Sequence, residues 1–233
     1  MRRFWLTLGR VVGLLAVVYA PTFLIVSAIT VVRAGGREPP GPGATAPLVI
    51  TISLGIALIL MATVGRRRFG SFGFRPAGLR ALWWSLGLGL VLGSLLAWAA
   101  TTLGIEFSYG QGLTAWQIIV LFWIGAPVQE EVIFRGLLQG TAELGLSGLI
   151  PIGRWKLSGA ALLSAVLFAL VHLALLSVGA SAGAAGFIAA SALILGLAAG
   201  QLRWMTGSLV PCILIHALFN VTGTVFDWFI RLQ

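Results

Sequence analysis

Eight residues in the middle of the chain, QEEVIFRG at positions 129–136, put two carboxylates and a guanidinium inside a stretch that is otherwise nearly all apolar. Glu131 and Arg135 stand four apart on one helical face, where an intrahelical ion pair makes both tolerable away from water. Glu130 lies about 100° round the helix and is left without a counter-charge. A carboxylate so placed is able to take a proton from water and give it back. Pro127, three residues earlier, removes a backbone donor and crowds the carbonyl of Trp123, which predicts a kink or an opening for water just ahead of the glutamates. The chain's two histidines extend the set. In HALFN, His216 and Asn220 are four apart and project together, offering an imidazole nitrogen and an amide donor to one substrate oxygen, or a metal ligand and its orienting neighbour. In FALVH, Phe168 and His172 share a face and bring a single imidazole with an apolar wall. Packed together, these three segments would gather one carboxylate, two imidazoles and an amide, the inventory for activating a water and stabilising an oxyanion.

The elements that must carry these groups are membrane spans. Of 233 residues, 59% are hydrophobic and 9% charged, with a mean hydropathy of +1.04, whereas a soluble domain carries roughly a quarter charged residues. Apolar runs long enough to cross a bilayer fall near 11–32, 48–64, 81–103, 115–140, 158–177, 184–202 and 208–229. The expected fold is therefore an all-α polytopic helical bundle of about seven transmembrane helices, with eight as the alternative, forming a single membrane domain over 1–233. The net charge of +9 is not a nucleic-acid footprint. With the amino terminus in the cytoplasm, Arg2, Arg3, Arg10, Arg66, Arg67, Arg68, Arg75, Arg80, Arg154, Lys156 and Arg203 fall inside, and Arg33, Arg37 and Arg231 outside, the asymmetry of the positive-inside rule. The run from Val11 to Val32 is too long for the core of a secretory signal and reads as an uncleaved first span. RAGGREPPGPGATAP reads as a non-helical external loop, and GRRRFGSFGFRPAGLR as a segment along the cytoplasmic headgroups. The fourth span runs inward, so its glutamates lie toward the cytoplasmic side.

Three motifs on three spans then carry a resemblance. EEVIFR at 130–135 fits EExxxR, FALVH at 168–172 fits FxxxH, and HALFN at 216–220 fits HxxxN, in the order used by the CPBP family of CAAX proteases and bacteriocin-processing enzymes. The chain resembles a bacterial relative of the Ras-converting CAAX endopeptidase over a catalytic core at 115–224. The resemblance implies an intramembrane endopeptidase in which Glu130 is the general base, His172 and His216 position water or ligate metal, and Asn220 donates to the oxyanion, with Glu131, Arg135 and Phe168 in support. It implies either zinc on Glu130, His172 and His216 or a water held by the same groups without metal. It also implies a multi-pass bacterial cytoplasmic membrane protein whose partners are membrane lipid and a membrane-associated or lipid-modified peptide or protein, with no nucleic acid. Relatives of the eukaryotic enzyme have a further span after the HxxxN helix, whereas thirteen residues follow Asn220 here, so one cavity wall is expected to be open or supplied by another subunit.

Other readings compete for the same residues. A charge cluster that fixes helix packing accounts for the glutamates alone, and a packed core histidine accounts for either imidazole alone. A transporter would use the buried charges as a proton relay and show matched, broken halves, which the sequence does not. A scaffold or immunity member of the same family would keep the motifs without turnover. Cys212 reads as a small buried hydrophobe, Trp83, Trp84, Trp204 and Trp228 as interface anchors, Glu106, Glu143 and Asp227 as solvated or headgroup-facing, and Gly196 and Gly200 as a site of close helix packing.

Overall fold

A computed structural model describes residues 2–36, 40–64, 69–105 and 112–231. Seven long helices fill it: α1 (Arg2–Ala34), α2 (Pro42–Val64), α3 (Leu79–Thr102), α4 (Ala115–Glu143), α5 (Gly159–His172), α6 (Ala182–Thr206) and α7 (Val210–Arg231). The first four, α6, and α5 together with the 3-10 turn that extends it to Val178 are long and apolar enough to cross a membrane; α7 carries a shorter apolar run, Val210–Phe226. The protein is thus an all-α polytopic bundle of about seven helices.

The centre of the bundle is α4. Every residue from Glu131 to Ala142 is buried, as befits a helix apolar on nearly all sides. Around it α3 packs along α7, and α5 along α6, and small residues set both approaches. A Cβ at Gly89 would come within 2.8 Å of the Ile215 carbonyl oxygen, and one at Gly200 within 3.0 Å of Ala161 Cβ. Lipid tails drive helices together no better than each other does, so such close backbone contact supplies much of the association. The outer faces present Trp83, Trp84, Leu90, Leu95 and Trp98, all exposed.

Several local features depart from the sequence reading. A hairpin, Leu149–Ile152 paired antiparallel with Trp155–Ser158, links α4 to α5 and turns at Gly153, whose φ of 57° favours glycine. Helix α2 begins at Pro42, inside the expected external loop, and includes Pro47; Pro42 costs nothing there because a first-turn N–H has no intrahelical partner. The segment after α2 is clasped by residues more than 130 positions later in the chain, at the end of α6 and the start of α7. Arg203, buried on α6, donates from Nη2 to the Ser71 carbonyl at 2.9 Å, Ser208 donates to the Arg75 carbonyl at 2.6 Å, and Leu209 N–H to Gly73 at 2.9 Å. Arg37 and Arg66 to Arg68 lie outside the described residues, as do Glu106 and the side chains of Asp227 and Arg231. Glu143 accepts from Gln139 at 3.2 Å, and buried Cys212 donates to the Ala199 carbonyl at 3.2 Å, as suits a small core residue.

Candidate active site

Two segments of α4, Ile118–Gly125 and Val132–Leu138, wind as π-helix on either side of the glutamates. The placement of the first follows from Pro127. The Ala126 N–H bonds to the Leu121 carbonyl, five residues back, so the next carbonyl in that register, Phe122, would need an N–H at position 127 that proline lacks. Asn220 supplies it: Nδ2 donates to Phe122 O at 2.9 Å. Thr224, one turn on, donates to the Asn220 carbonyl at 2.8 Å and accepts from Trp123 Nε1 at 3.3 Å. The expected opening at Pro127 is therefore a change of helical winding closed by α7, and one hydrogen of the Asn220 amide is committed to it. The second remains for a ligand.

The next turn separates the two glutamates. Glu131 and Arg135 are both 0% exposed and pair through Oε1 and Nη1 at 3.1 Å, the contact their spacing predicted. The guanidinium lies 4.4 Å from the centre of the Phe168 ring, a cation–π contact worth more without water. On the other side, His216 Nδ1 stands 2.8 Å from the same Glu131 Oε1. A carboxylate already paired with Arg135 only accepts, so Nδ1 carries the hydrogen and Nε2 faces outward. That Nε2 is 3.6 Å from Oε2 of Glu130, whose side chain is 23% exposed. Glu130 thus stands beside an imidazole that the sequence reading did not give it, and its exposure marks it as the glutamate that meets the cavity.

His172 completes the wall from α5. Its Nδ1 is 2.7 Å from the Phe168 carbonyl oxygen, which again fixes the hydrogen on Nδ1 and leaves Nε2 as an acceptor. Phe168 lies edge-on to both imidazoles, 4.6 Å from His172 and 5.8 Å from His216 between ring centres. A cavity of about 500 Å³ is lined by Glu130, Phe168, His172, His216 and Asn220, with Phe122, Phe187, Ile188 and Phe219 as apolar walls and Trp228 among its lining groups. All four proposed chemical groups of the sequence reading reach it, and Glu131 and Arg135 sit behind it. Trp228, read as an interface anchor, also packs at 6.0 Å against Trp123. Among the described residues no group of three His, Cys, Asp or Glu side chains is arranged to hold a metal ion, the set Glu130, His172 and His216 included.

Sequence reasoning passed over three buried polar residues here. Gln129 bonds to Tyr19 OH at 3.3 Å, Gln139 to the Gly200 carbonyl at 2.9 Å, and Ser191 lines the cavity from α6. The i, i+4 step from Arg135 to Gln139 was a signal for the second, whereas a lone serine in an apolar run gives none.

Residues 112–222 match the family model described as type II CAAX prenyl endopeptidase Rce1-like. No curated protein and no solved structure matches the chain significantly. The matched stretch runs from just before α4 to Thr222 on α7 and contains every motif residue that faces the cavity. Over that stretch, a little under half of its length, the chain is similar to the CAAX-type protease family.

Proposed function

We propose that this protein is an endopeptidase that hydrolyses a peptide bond of a membrane-bound or lipid-modified substrate within the bilayer, with Glu130 as general base. The carrying observation is the division of labour around His216: Nδ1 is tied to the sealed Glu131–Arg135 pair while Nε2 faces Glu130 at 3.6 Å in an apolar cavity. A water between Glu130 and a substrate carbonyl gives its proton to the carboxylate as its oxygen attacks the carbonyl carbon. The oxyanion takes the second amide hydrogen of Asn220. The Glu130 proton then passes to the leaving nitrogen as the C–N bond breaks, yielding an acid and an amine. The Nε2 acceptors of His172 and His216 orient the water. A zinc ion would polarise the same water, but the side chains as placed do not gather a ligand set, and no step here needs one. The site lies toward the cytoplasmic side of a bacterial cell membrane if the amino terminus is cytoplasmic.

The test is cleavage of a membrane-peptide library in detergent by wild type and Glu130→Gln, each with and without a chelator, at matched thermal stability. Wild type is expected to cleave with or without chelator and Glu130→Gln to lose about 10³-fold in kcat. Equal cleavage by both proteins would sink the role of Glu130, and chelator-sensitive cleavage would bring the metal back.

A further inference from the structure

Most hydroxyls on these helices follow one habit, although Ser164 donates across to the Phe134 carbonyl. Thr22, Ser53, Thr63, Ser85, Thr222 and Thr224 each donate to the carbonyl four residues back on their own helix, the cheapest way to satisfy an O–H away from water. Ser191 does not. It is 6% exposed, its Oγ has no hydrogen-bond partner, and it lines the catalytic cavity. Thr141 is the other buried hydroxyl without a partner among the described residues, and it stands on the closed stretch of α4. A buried hydroxyl without a partner costs stability, so a partner that comes and goes is the economical account of one facing a cavity.

Helix register sets its depth. A Cβ at Gly196 would touch Arg135 Nη2 at 2.9 Å, and one at Gly200 would touch Gln139 Oε1 at 3.1 Å. Both partners advance by four residues, so α6 and α4 run parallel and in step. Five residues back from Gly196 is Ser191, and five back from Arg135 is Glu130. The antiparallel neighbour agrees: Gly200 meets Ala161 and Gly196 meets Ala165, which brings Ser191 level with the turn of α5 between Phe168 and His172.

The cavity is rich in acceptors and poor in donors. Glu130 and both histidine Nε2 atoms accept, Thr224 has spent its hydrogen on the Asn220 carbonyl, Asn220 has spent one of two on Phe122, and besides Ser191 the lining side chains add only the indole N–H of Trp228. Hydrolysis of a peptide needs donors at the carbonyl oxygen, where negative charge develops. We propose that the Ser191 hydroxyl donates to that oxygen, as a second oxyanion donor alongside Asn220. The assignment rests on the endopeptidase reading above.

It is tested by steady-state cleavage of a library peptide by wild type, Ser191→Ala, Ser191→Thr and Glu130→Gln, with thermal stability of each. Ser191→Ala should lower kcat by about 10²-fold at unchanged KM, Ser191→Thr should recover most of it, and Ser191→Ala should melt no lower than wild type because it removes an unpaired hydroxyl. Wild-type kcat in Ser191→Ala, while Glu130→Gln is inactive, overturns the Ser191 assignment and leaves the endopeptidase reading standing. Equal losses in the alanine and threonine variants with a lowered melting temperature also overturn it, in favour of packing. If wild type cleaves no peptide, or Glu130→Gln cleaves as well as wild type, the endopeptidase reading falls and takes Ser191 with it.

Discussion

Glu130 and Glu131 are neighbours in sequence and live in different media. Glu131 is sealed between the Phe168-backed guanidinium of Arg135 and His216 Nδ1, with no exposure; Glu130 is 23% exposed on a cavity. One residue along a helix is about 100°, enough to put one carboxylate in the wall and the next in the room. The same chemical group therefore supports structure at one position and, in the mechanism proposed above, takes a proton at the other. Substitutions on the two sides should separate cleanly. Glu130→Gln is expected to remove about 10³-fold of kcat and leave thermal stability near wild type. Arg135→Met leaves Glu131 buried without its counter-charge and should cost about 3–5 kcal/mol of stability. The double variant Glu131→Gln/Arg135→Met should regain part of that loss, since no charge is then stranded. Calorimetry in detergent and peptide cleavage read the two effects, and a Glu130→Gln protein destabilised as much as Arg135→Met would erase the distinction.

Asn220 sits on the boundary between the two media. Its amide closes the register that Pro127 interrupts and keeps one hydrogen for the cavity. Asn220→Ala should accordingly show a mixed signature, about 1–2 kcal/mol of stability from the stranded Phe122 carbonyl together with about 10²-fold in kcat from the lost oxyanion donor. Asn220→Asp keeps the shape but cannot donate from a carboxylate, so it should fare no better in activity. A loss confined to stability would reduce Asn220 to a helix clamp.

The sealed side was the more legible of the two in the sequence. An ion pair at i, i+4, three motifs in order and runs of apolar residues are one-dimensional patterns, and they placed Glu131, Arg135, the spans and the four cavity residues. What stayed hidden depends on partners far along the chain. The π segment before the glutamates follows from Pro127 together with an amide ninety-odd residues later, and His216 bridges two glutamates far earlier in the chain. Ser191 lies in AASAL, where nothing marks it; only its missing back-bond and its depth opposite Glu130 do. The hairpin before α5 was concealed for another reason: IPIGRWKL alternates too briefly beside long apolar runs to stand out, though Gly153 has the residue type its turn needs.

The two media are held apart by close packing, and Gly196 is where that can be probed most gently. It faces Arg135 from α6, and an added Cβ would meet Nη2 at 2.9 Å and Ala165 Cα at 3.1 Å. The first contact is the tip of a side chain, yet that tip is pinned by Glu131 on one side and the Phe168 ring on another, and the second is backbone, so neither yields freely. Gly196→Ala should cost about 1–3 kcal/mol and, by pushing the guanidinium, loosen the carboxylate that orients His216. Its effect on kcat should be smaller than that of any cavity residue, within about tenfold, because no group that lines the cavity is altered. Gly186, on the same helix, has open space around its missing Cβ, so Gly186→Ala serves as the control and should leave both stability and kcat near wild type. If the two variants behaved alike, the wall behind the cavity would be softer than its packing implies, and the ion pair would owe its position to α4 and α7 alone.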